Sequence, residues 1–339
     1  MNGTFTAANA VLAIMWTGLT AYALFGGADF GGGFWDLLAG NTERGRAPRR
    51  LIEHSIGPVW EANHVWLIFV LVVLWTSFPI GFASIASTLY IPLTLAALGM
   101  IARGAAFAFR HSVDQPLLQQ LFGASFAFSS MVTPFFLGTI AGAVASGRVP
   151  PGIAAGDVIT SWLNPTSILG GVLAVGICAY LAGVYLCADA AGHPGQPLLE
   201  YFLTRAVRTA VLIGLVALAG IVVLHADAPA LFDGLTSRGL PLIAISAAAG
   251  LSSIVLLVRR RLAPARVAAA LAVTAVIWGW AAAQYPYLLQ PGLTVQAAAA
   301  PAATLHAMLL SLVVGAALLV PSLAYLFTLF HRPDPAPEQ

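Results

Sequence analysis

Ionisable and aromatic side chains cluster at the beginning of a long apolar run. Residues 54–68 read HSIGPVWEANHVWLI, and the chain stays mainly apolar from there to Phe78. Glu61 and His64 are three residues apart, so a helix places them on the same face. Burial raises the pKa of a carboxylic acid towards neutrality, and carboxylic acids inside membrane spans commonly belong to proton relays. We therefore predict that Glu61 transfers protons and that His64 tunes it.

A second carboxylate lies in a glycine-rich stretch. Residues 25–34 read FGGADFGGGF, which puts five glycines around Asp29. Such a stretch can bend a helix or let another helix approach closely. If the first two apolar runs form antiparallel helices, Asp29 and Glu61 lie at similar depth. Two carboxylates shielded from lipid at one depth would suit proton uptake.

Structural explanations for both carboxylates remain open. Asp29 could hydrogen-bond backbone groups that the glycines loosen. Arg49 or Arg103 could neutralise Glu61. Arg103 and Arg110 close an apolar run and read most simply as snorkelling anchors, although one of them could pair with either carboxylate instead.

Glutamate and histidine side chains could instead bind a metal ion or a haem. A di-iron bundle needs two Glu-x-x-His motifs and two further carboxylates, whereas this sequence has no second Glu-x-x-His. His64, His225 and His306 could each ligate haem, but a lone histidine in a span more commonly hydrogen-bonds a neighbouring helix. We predict no metal ligand in this chain.

The elements that position these residues are membrane helices. Of the 339 residues, 59% are hydrophobic and 8% are charged, and the mean hydropathy is +0.88. Soluble domains carry about 25% charged residues, so this composition indicates an integral membrane protein and argues against a soluble enzyme. The arginines lie at the ends of apolar runs rather than in one patch of sequence, so we predict no nucleic acid partner.

Nine apolar stretches approach the length of about 20 residues that a spanning helix needs. The predicted spans are 7–28, 56–77, 81–101, 121–145, 162–187, 207–224, 240–258, 267–283 and 303–330. The fold class is thus an all-α integral membrane protein with nine transmembrane helices, arranged as two four-helix bundles plus one extra helix. Residues 1–339 form a single polytopic domain, divided into a first bundle (1–150), the remaining five helices (160–330) and a disordered tail (331–339).

The arginines predict the orientation of these spans. Thirteen of the fifteen basic residues follow odd-numbered spans, and only Arg148 and Arg238 lie in the alternate loops. Loops rich in arginine stay in the cytoplasm. We therefore expect the N-terminus outside and the C-terminus in the cytoplasm.

Two motifs and two shorter segments carry a family resemblance. The sequence GADFGGG around Asp29 is similar to a Gly-Phe-Asp-x-Gly-x-Gly motif that ends the first span in one family of membrane proteins. His54–Leu67 closely follows the pattern Asn/His-Ser-Ile-x-Pro-x-Trp-Asp/Glu-x-Asn-x-Val-Trp-Leu. The segment RGAAFAFR, from Arg103 to Arg110, resembles the segment that ends the third span in the same family of membrane proteins. The pair Asn164-Pro165 matches the start of that family's fifth span. In these residues the chain resembles subunit II of the cytochrome bd quinol oxidases, including the cyanide-insensitive branch, as a divergent member.

The resemblance implies one subunit of a respiratory complex in the bacterial cytoplasmic (inner) membrane. Subunit I of that family holds the quinol site and the haems b558, b595 and d, so this chain is expected to bind no cofactor directly. The complex would oxidise quinol, reduce O2 to water and take up protons from the cytoplasm, as an H+-translocating quinol:oxygen oxidoreductase. A structural quinone, a small accessory subunit and membrane lipids are compatible with this reading.

Taken together, the residue patterns and the resemblance predict two groups of site residues. Asp29, Glu61 and His64 would serve proton transfer, and no residue of this chain would be catalytic. The expected interface with subunit I and its haem enclosure comprises Trp60, Asn63, Trp66, Arg103 and Arg110.

Two other functions remain as alternatives. A proton-coupled secondary transporter could use Asp29 and Glu61 to drive substrate movement, although transporters usually show broken helices in inverted repeats. A purely structural subunit would stabilise a haem-bearing partner, and its carboxylates would be dispensable.

Overall fold

The computed structural model describes residues 6–39, 43–56, 60–110, 115–192 and 198–330, and most of them are helical. The helices are α1 (Ala7–Ala39), α2 (Glu43–Ile56), α3 (Trp60–Ser77), α4 (Pro79–Thr88), α5 (Tyr90–Arg110), α6 (Pro116–Ala145), α7 (Pro165–Ala191), α8 (Leu198–Asp227), α9 (Pro229–Thr236), α10 (Leu240–Val258), α11 (Leu262–Gln284), α12 (Val295–Ala298) and α13 (Ala302–Phe330). A two-stranded antiparallel hairpin, β1 (Tyr287–Leu289) and β2 (Leu293–Thr294), precedes α12.

Within these ranges, eight helices are long and apolar enough to cross a membrane, and a ninth span arises if α3 and α4 are taken together. The eight are α1, α5, α6, α7, α8, α10, α11 and α13. This confirms the prediction of an all-α integral membrane protein. The division at residue 150 into two bundles stays a prediction, and the predicted tail 331–339 lies outside the described residues.

The third predicted span, 81–101, is wrong in its bounds. Residues 81–88 belong to the short helix α4, which makes an angle of 118° with α3, and the spanning helix α5 begins only at Tyr90. The chain turns at Phe78 because Pro79 favours the first turn of a new helix and cannot donate a backbone hydrogen bond to the preceding one. Hydropathy is continuous through this turn, so the apolar pattern alone does not reveal it.

Two ends of the bundle can be distinguished by their connections. The hairpin end carries α4, the α6–α7 connection and the β-hairpin: Ala300 N donates to the Ser77 carbonyl at 2.8 Å, and Gly152 N donates to Ser84 Oγ at 2.9 Å. The α2 end carries α2, the start of α8 and the tight connection between α10 and α11. Arg260, in that connection, adopts a positive φ of 56° and pairs with Glu200 of α8.

Helix α1 is the central element, because it contacts α3, α6 and α7 along its length. It extends beyond the apolar span 7–28 and continues as one helix to Ala39. The glycines permit close packing against the neighbouring helices. A Cβ on Gly31 would lie 1.9 Å from the carbonyl oxygen of Cys178 in α7, and one on Gly33 would lie 2.1 Å from Ser130 Oγ in α6.

Candidate functional site

Asp29 of α1 and Arg103 of α5 form a two-point ion pair inside the bundle. Arg103 Nη1 donates to Asp29 Oδ2 at 2.8 Å, and Nη2 donates to Oδ1 at 2.7 Å. Each side chain is only 1% exposed. A bidentate arginine–carboxylate pair fixes both the position and the orientation of its members, so this pair locks the first predicted span to the third.

The Arg103 guanidinium makes further contacts beyond the ion pair. Its Nε donates to Ser130 Oγ at 3.0 Å, and Nη2 makes a further contact of 3.3 Å with the Asp29 carbonyl oxygen. The rings of Phe30 and Phe126 lie 4.9 and 4.8 Å from its central carbon. Burying a charge is tolerated when it is paired and hydrogen-bonded, and both conditions hold here.

The glycine-rich sequence explains why this pair can form at the centre of the molecule. Gly31 and Gly33 present bare backbone to α7 and α6, and any side chain there would collide with Cys178 or Ser130. Without those contacts, α6 could not bring the Ser130 hydroxyl against Arg103. The glycine-rich stretch around Asp29 therefore allows the close helix packing that buries the ion pair.

Residues of α3 lie against the same part of α1. The ring of His64 stands 5.9 Å from the ring of Phe30, in an edge-on arrangement. Phe30 also contacts the Arg103 guanidinium, so one aromatic ring touches both His64 and the ion pair. Asn63 is buried and donates from Nδ2 to the Phe25 carbonyl oxygen at 3.3 Å, which ties α3 to α1 beside the glycine stretch.

Trp66 belongs to the packing of this region. It lies edge-on to Phe69 at 6.2 Å and packs against the buried cluster of Tyr22, Phe30 and Cys178. The predicted residues Asp29, His64, Asn63, Trp66 and Arg103 are thus gathered around α1.

The remaining predicted site residues have side chains outside the described part of the structure. Trp60 and Glu61 fall in the first turn of α3, and Arg110 is the last residue of α5. Glu61 precedes His64 by three residues, which keeps the two on one face of α3. The matching depth of Glu61 and Asp29 stays a prediction.

Sequence reasoning missed two further residues on α1. Tyr22 and Asp36 lie seven residues before and after Asp29, and residues seven apart fall on one helix face. All three are buried, with exposures of 7%, 3% and 7%. The heptad spacing of the three ionisable residues of α1 was the available signal.

The other histidines considered as haem ligands lie away from this site. His225 is exposed in the last turn of α8, with its ring 4.9 Å from Phe232, and His306 is exposed near the start of α13. Among the residues that the structure describes, no group of three or more His, Cys, Asp or Glu side chains is placed to hold a metal ion.

A second ion pair, here named the clasp, lies at the hairpin end and joins the α6–α7 connection to α8. Arg148 donates from Nη1 and Nη2 to the two carboxylate oxygens of Asp227 at 3.0 and 2.7 Å. Asp227 also accepts from the backbone N of Thr166 at 3.0 Å. Asn164 caps α7 by accepting from Ser167 N at 2.9 Å, and its side-chain oxygen accepts from Arg148 at 3.1 Å.

Comparison with known proteins adds independent findings. The family model described as cytochrome bd terminal oxidase subunit II matches residues 7–330. Cytochrome bd ubiquinol oxidase subunit 2 of Bacillus subtilis is 32% identical over 153 residues, which cover 45% of this chain and 44% of the relative. Cytochrome bd-I ubiquinol oxidase subunit 2 of Escherichia coli is 27% identical over 217 residues, or 61% and 54% of the two chains. These matches span about half the length of the curated relatives.

The fold can also be compared with a solved structure. A chain of the bd oxidase from Geobacillus thermodenitrificans matches with a TM-score of 0.75 and 26% identity. The match covers 96% of this chain and 99% of that chain, so the likeness extends over the whole bundle.

Proposed function

The chain belongs to the cytochrome bd terminal oxidase subunit II family, and from this premise we propose that it works as subunit II of a bd-type quinol oxidase. It pairs with a subunit I that carries haems b558, b595 and d, and the complex oxidises quinol and reduces O2 to water. The observation that supports this most strongly is the family match over residues 7–330, together with the similarity to a solved bd oxidase over nearly the whole chain.

The proposed setting is the bacterial cytoplasmic membrane, with the α2 end of the bundle in the cytoplasm. Arginines of α2, of the start of α8 and of the α10–α11 connection all lie at this end. The positive-inside rule then directs it to the cytoplasmic face. Protons would accordingly enter the complex from this side.

In the proposed proton route, Glu61 and His64 carry the proton at the start of α3. The sequence suggested Asp29 as a second proton carrier, but we propose a different role for it. Protonating Asp29 would leave the buried Arg103 charge without its counter-ion, and an uncompensated buried charge is strongly unfavourable. We therefore assign Asp29 and Arg103 as positioning residues, which hold α1 and α5 so that Phe30 supports the His64 ring.

The transporter alternative gains no support from α1. Discontinuous helices mark the substrate sites of many transporters, whereas α1 continues through Asp29 and its glycines without a break. The purely structural alternative differs from the proposal in one measurable respect, because it makes Glu61 dispensable.

The test compares Glu61→Gln with Glu200→Gln in the complex purified through this chain. Glu200 is a matched control, since it is a carboxylate at the same end of the bundle but is 56% exposed and paired with Arg260 on the surface. We expect Glu61→Gln to slow quinol-driven O2 consumption at unchanged haem content, and Glu200→Gln to leave the rate unchanged. Equal turnover in the two variants would remove Glu61 from the route and favour the structural alternative.

A further inference from the structure

Arginine side chains of α2 and of the start of α8 lie at the same end of the bundle. On α8, Tyr201, Arg205 and Arg208 follow at intervals of four and three residues, so they share one face. On α2, the neighbouring arginines at 46, 49 and 50 also share a face. We name these five arginines, of which Arg46, Arg50 and Arg208 are exposed, the α2–α8 basic surface.

Helix α2 packs on α1 and α7, and its apolar residues reach the buried cluster that α8 also enters. Leu51 and Ile52 of α2 are buried, with exposures of 5% and 2%, in the same cluster as Phe202 and Ala206 of α8. Arg49 of α2 is near enough to Tyr201 of α8 for its charge to favour the ionised tyrosine. The two sets of arginines are therefore parts of one surface.

Arg205 is held in place by contacts with Tyr201. Its guanidinium stacks on the Tyr201 ring, 3.3 Å from the centroid, and Nη1 donates to the Tyr201 carbonyl oxygen at 3.1 Å. Stacking on an aromatic face leaves the edge of a guanidinium available for an oxyanion. Both contacts fix the position of the Arg205 guanidinium, and neither supplies a negative charge to it.

Two arginines of this surface lack an acidic partner among the described residues. Arg260 and Arg266, farther along this end, pair with Glu200 and Asp189. By contrast, neither Arg205 nor Arg208 forms an ion pair with any residue in the described ranges. An anionic ligand would supply the missing counter-charge.

The face of α8 that continues from Arg208 is apolar and uncovered. Leu212, Leu215 and Leu218 are 59%, 59% and 62% exposed, and Val222 is 71% exposed. From Arg208 to Val222 the helix rises about 21 Å. Half of a bilayer's hydrocarbon core is about 15 Å thick, so this face is long enough to contact an acyl chain along its whole length.

We propose that the α2–α8 basic surface binds the phosphate headgroup of an anionic phospholipid, whose acyl chains lie along the exposed face of α8. Guanidinium groups pair strongly with phosphate oxygens, and basic pockets on the cytoplasmic side of membrane helices bind anionic headgroups. The charge favours this occupant over a neutral lipid, and the apolar face directly below the arginines favours a lipid over free phosphate.

The test uses the membrane complex purified through this chain, depleted of lipid and placed in nanodiscs of phosphatidylcholine with increasing phosphatidylglycerol. Bound phosphatidylglycerol is measured by native mass spectrometry. The variant Arg205→Gln/Arg208→Gln is compared with Arg259→Gln/Arg261→Gln, which removes the same charge from exposed arginines of the α10–α11 connection. An arginine that contacts the headgroup contributes about fivefold to the binding of an anionic lipid.

We expect the first variant to weaken phosphatidylglycerol binding roughly 30-fold, from two such contributions, and the control variant to leave it within about twofold of wild type. Equal loss in both variants, or loss in neither, would overturn the proposal, as would equal retention of phosphatidylcholine. Phosphatidylglycerol binding to the wild-type complex that persists in high salt would also overturn the proposal. This measurement needs no variant, so it decides the question even if a variant fails to assemble. Oxygen consumption is recorded separately, so the lipid site and the oxidase function can fail independently.

Discussion

Breaking the Asp29–Arg103 pair should be far more costly than breaking the clasp. In Arg103→Met the cation is lost, and the Asp29 carboxylate remains in a site where the side chain is 1% exposed. In Arg148→Met, the Asp227 carboxylate is 17% exposed and retains its hydrogen bonds from Thr166. The two variants make the same chemical change in different surroundings.

The structure sets the expected magnitudes. Removing one partner of a buried pair costs about 3–5 kcal/mol, whereas removing one partner of a partly exposed pair costs about 1 kcal/mol. The double variant Asp29→Leu/Arg103→Met should recover most of the loss, because it removes both charges together. Ser130 stays satisfied in this variant, since its hydroxyl donates to the Phe126 carbonyl at 2.6 Å.

The free energy of unfolding can be measured by titrating the complex with SDS in mixed micelles. We expect Asp29→Leu alone to be as destabilising as Arg103→Met, and the cycle of single and double variants to give a coupling energy of at least about 2 kcal/mol. Additive effects of the two single variants, or a loss in Arg103→Met no larger than in Arg148→Met, would refute the assignment of a buried ion pair that locks α1 to α5.

Two further predictions concern packing and helix capping, and the same titration measures both. Gly31→Ala should destabilise the complex by at least about 2 kcal/mol, because its Cβ would strike the Cys178 carbonyl; Gly214→Ala, with nothing within 4 Å of its Cβ, should be neutral or slightly stabilising. Equal effects would mean that α1 and α7 are not in close contact. Asn164→Ala should cost about 1 kcal/mol through the lost cap of α7, and an unchanged stability would show that the cap and its contact with Arg148 are dispensable.

The spans were largely predictable from sequence because each depends on local hydropathy. Residues 240–258 were given their exact bounds, and the helices containing 121–145 and 303–330 were located with small errors at their starts. The bend at Phe78 was not predictable in this way. Apolar residues continue on both sides of it, and the signal is confined to Pro79, which membrane helices also tolerate in their interior.

The site was predictable in its residue types, and a pairing of Arg103 with Asp29 or Glu61 was among the alternatives, but the sequence did not select between them. Asp29 and Arg103 are 74 positions apart, and nothing local to either residue specifies the other. Arg103 read as a snorkelling anchor because it ends an apolar run, yet the structure buries it almost completely. Its partner follows from how α1, α5 and α6 pack, which the glycines and Ser130 decide together.

The most direct test of membership in a working oxidase is a reduced-minus-oxidised absorption spectrum. The complex is purified through this chain after co-expression with its candidate subunit I, a nine-span protein with axial histidine and methionine candidates. A functional subunit II should retain a partner whose spectrum contains both b-type and d-type haem bands, reducible by quinol. An intact complex without haem absorption would contradict the proposed function.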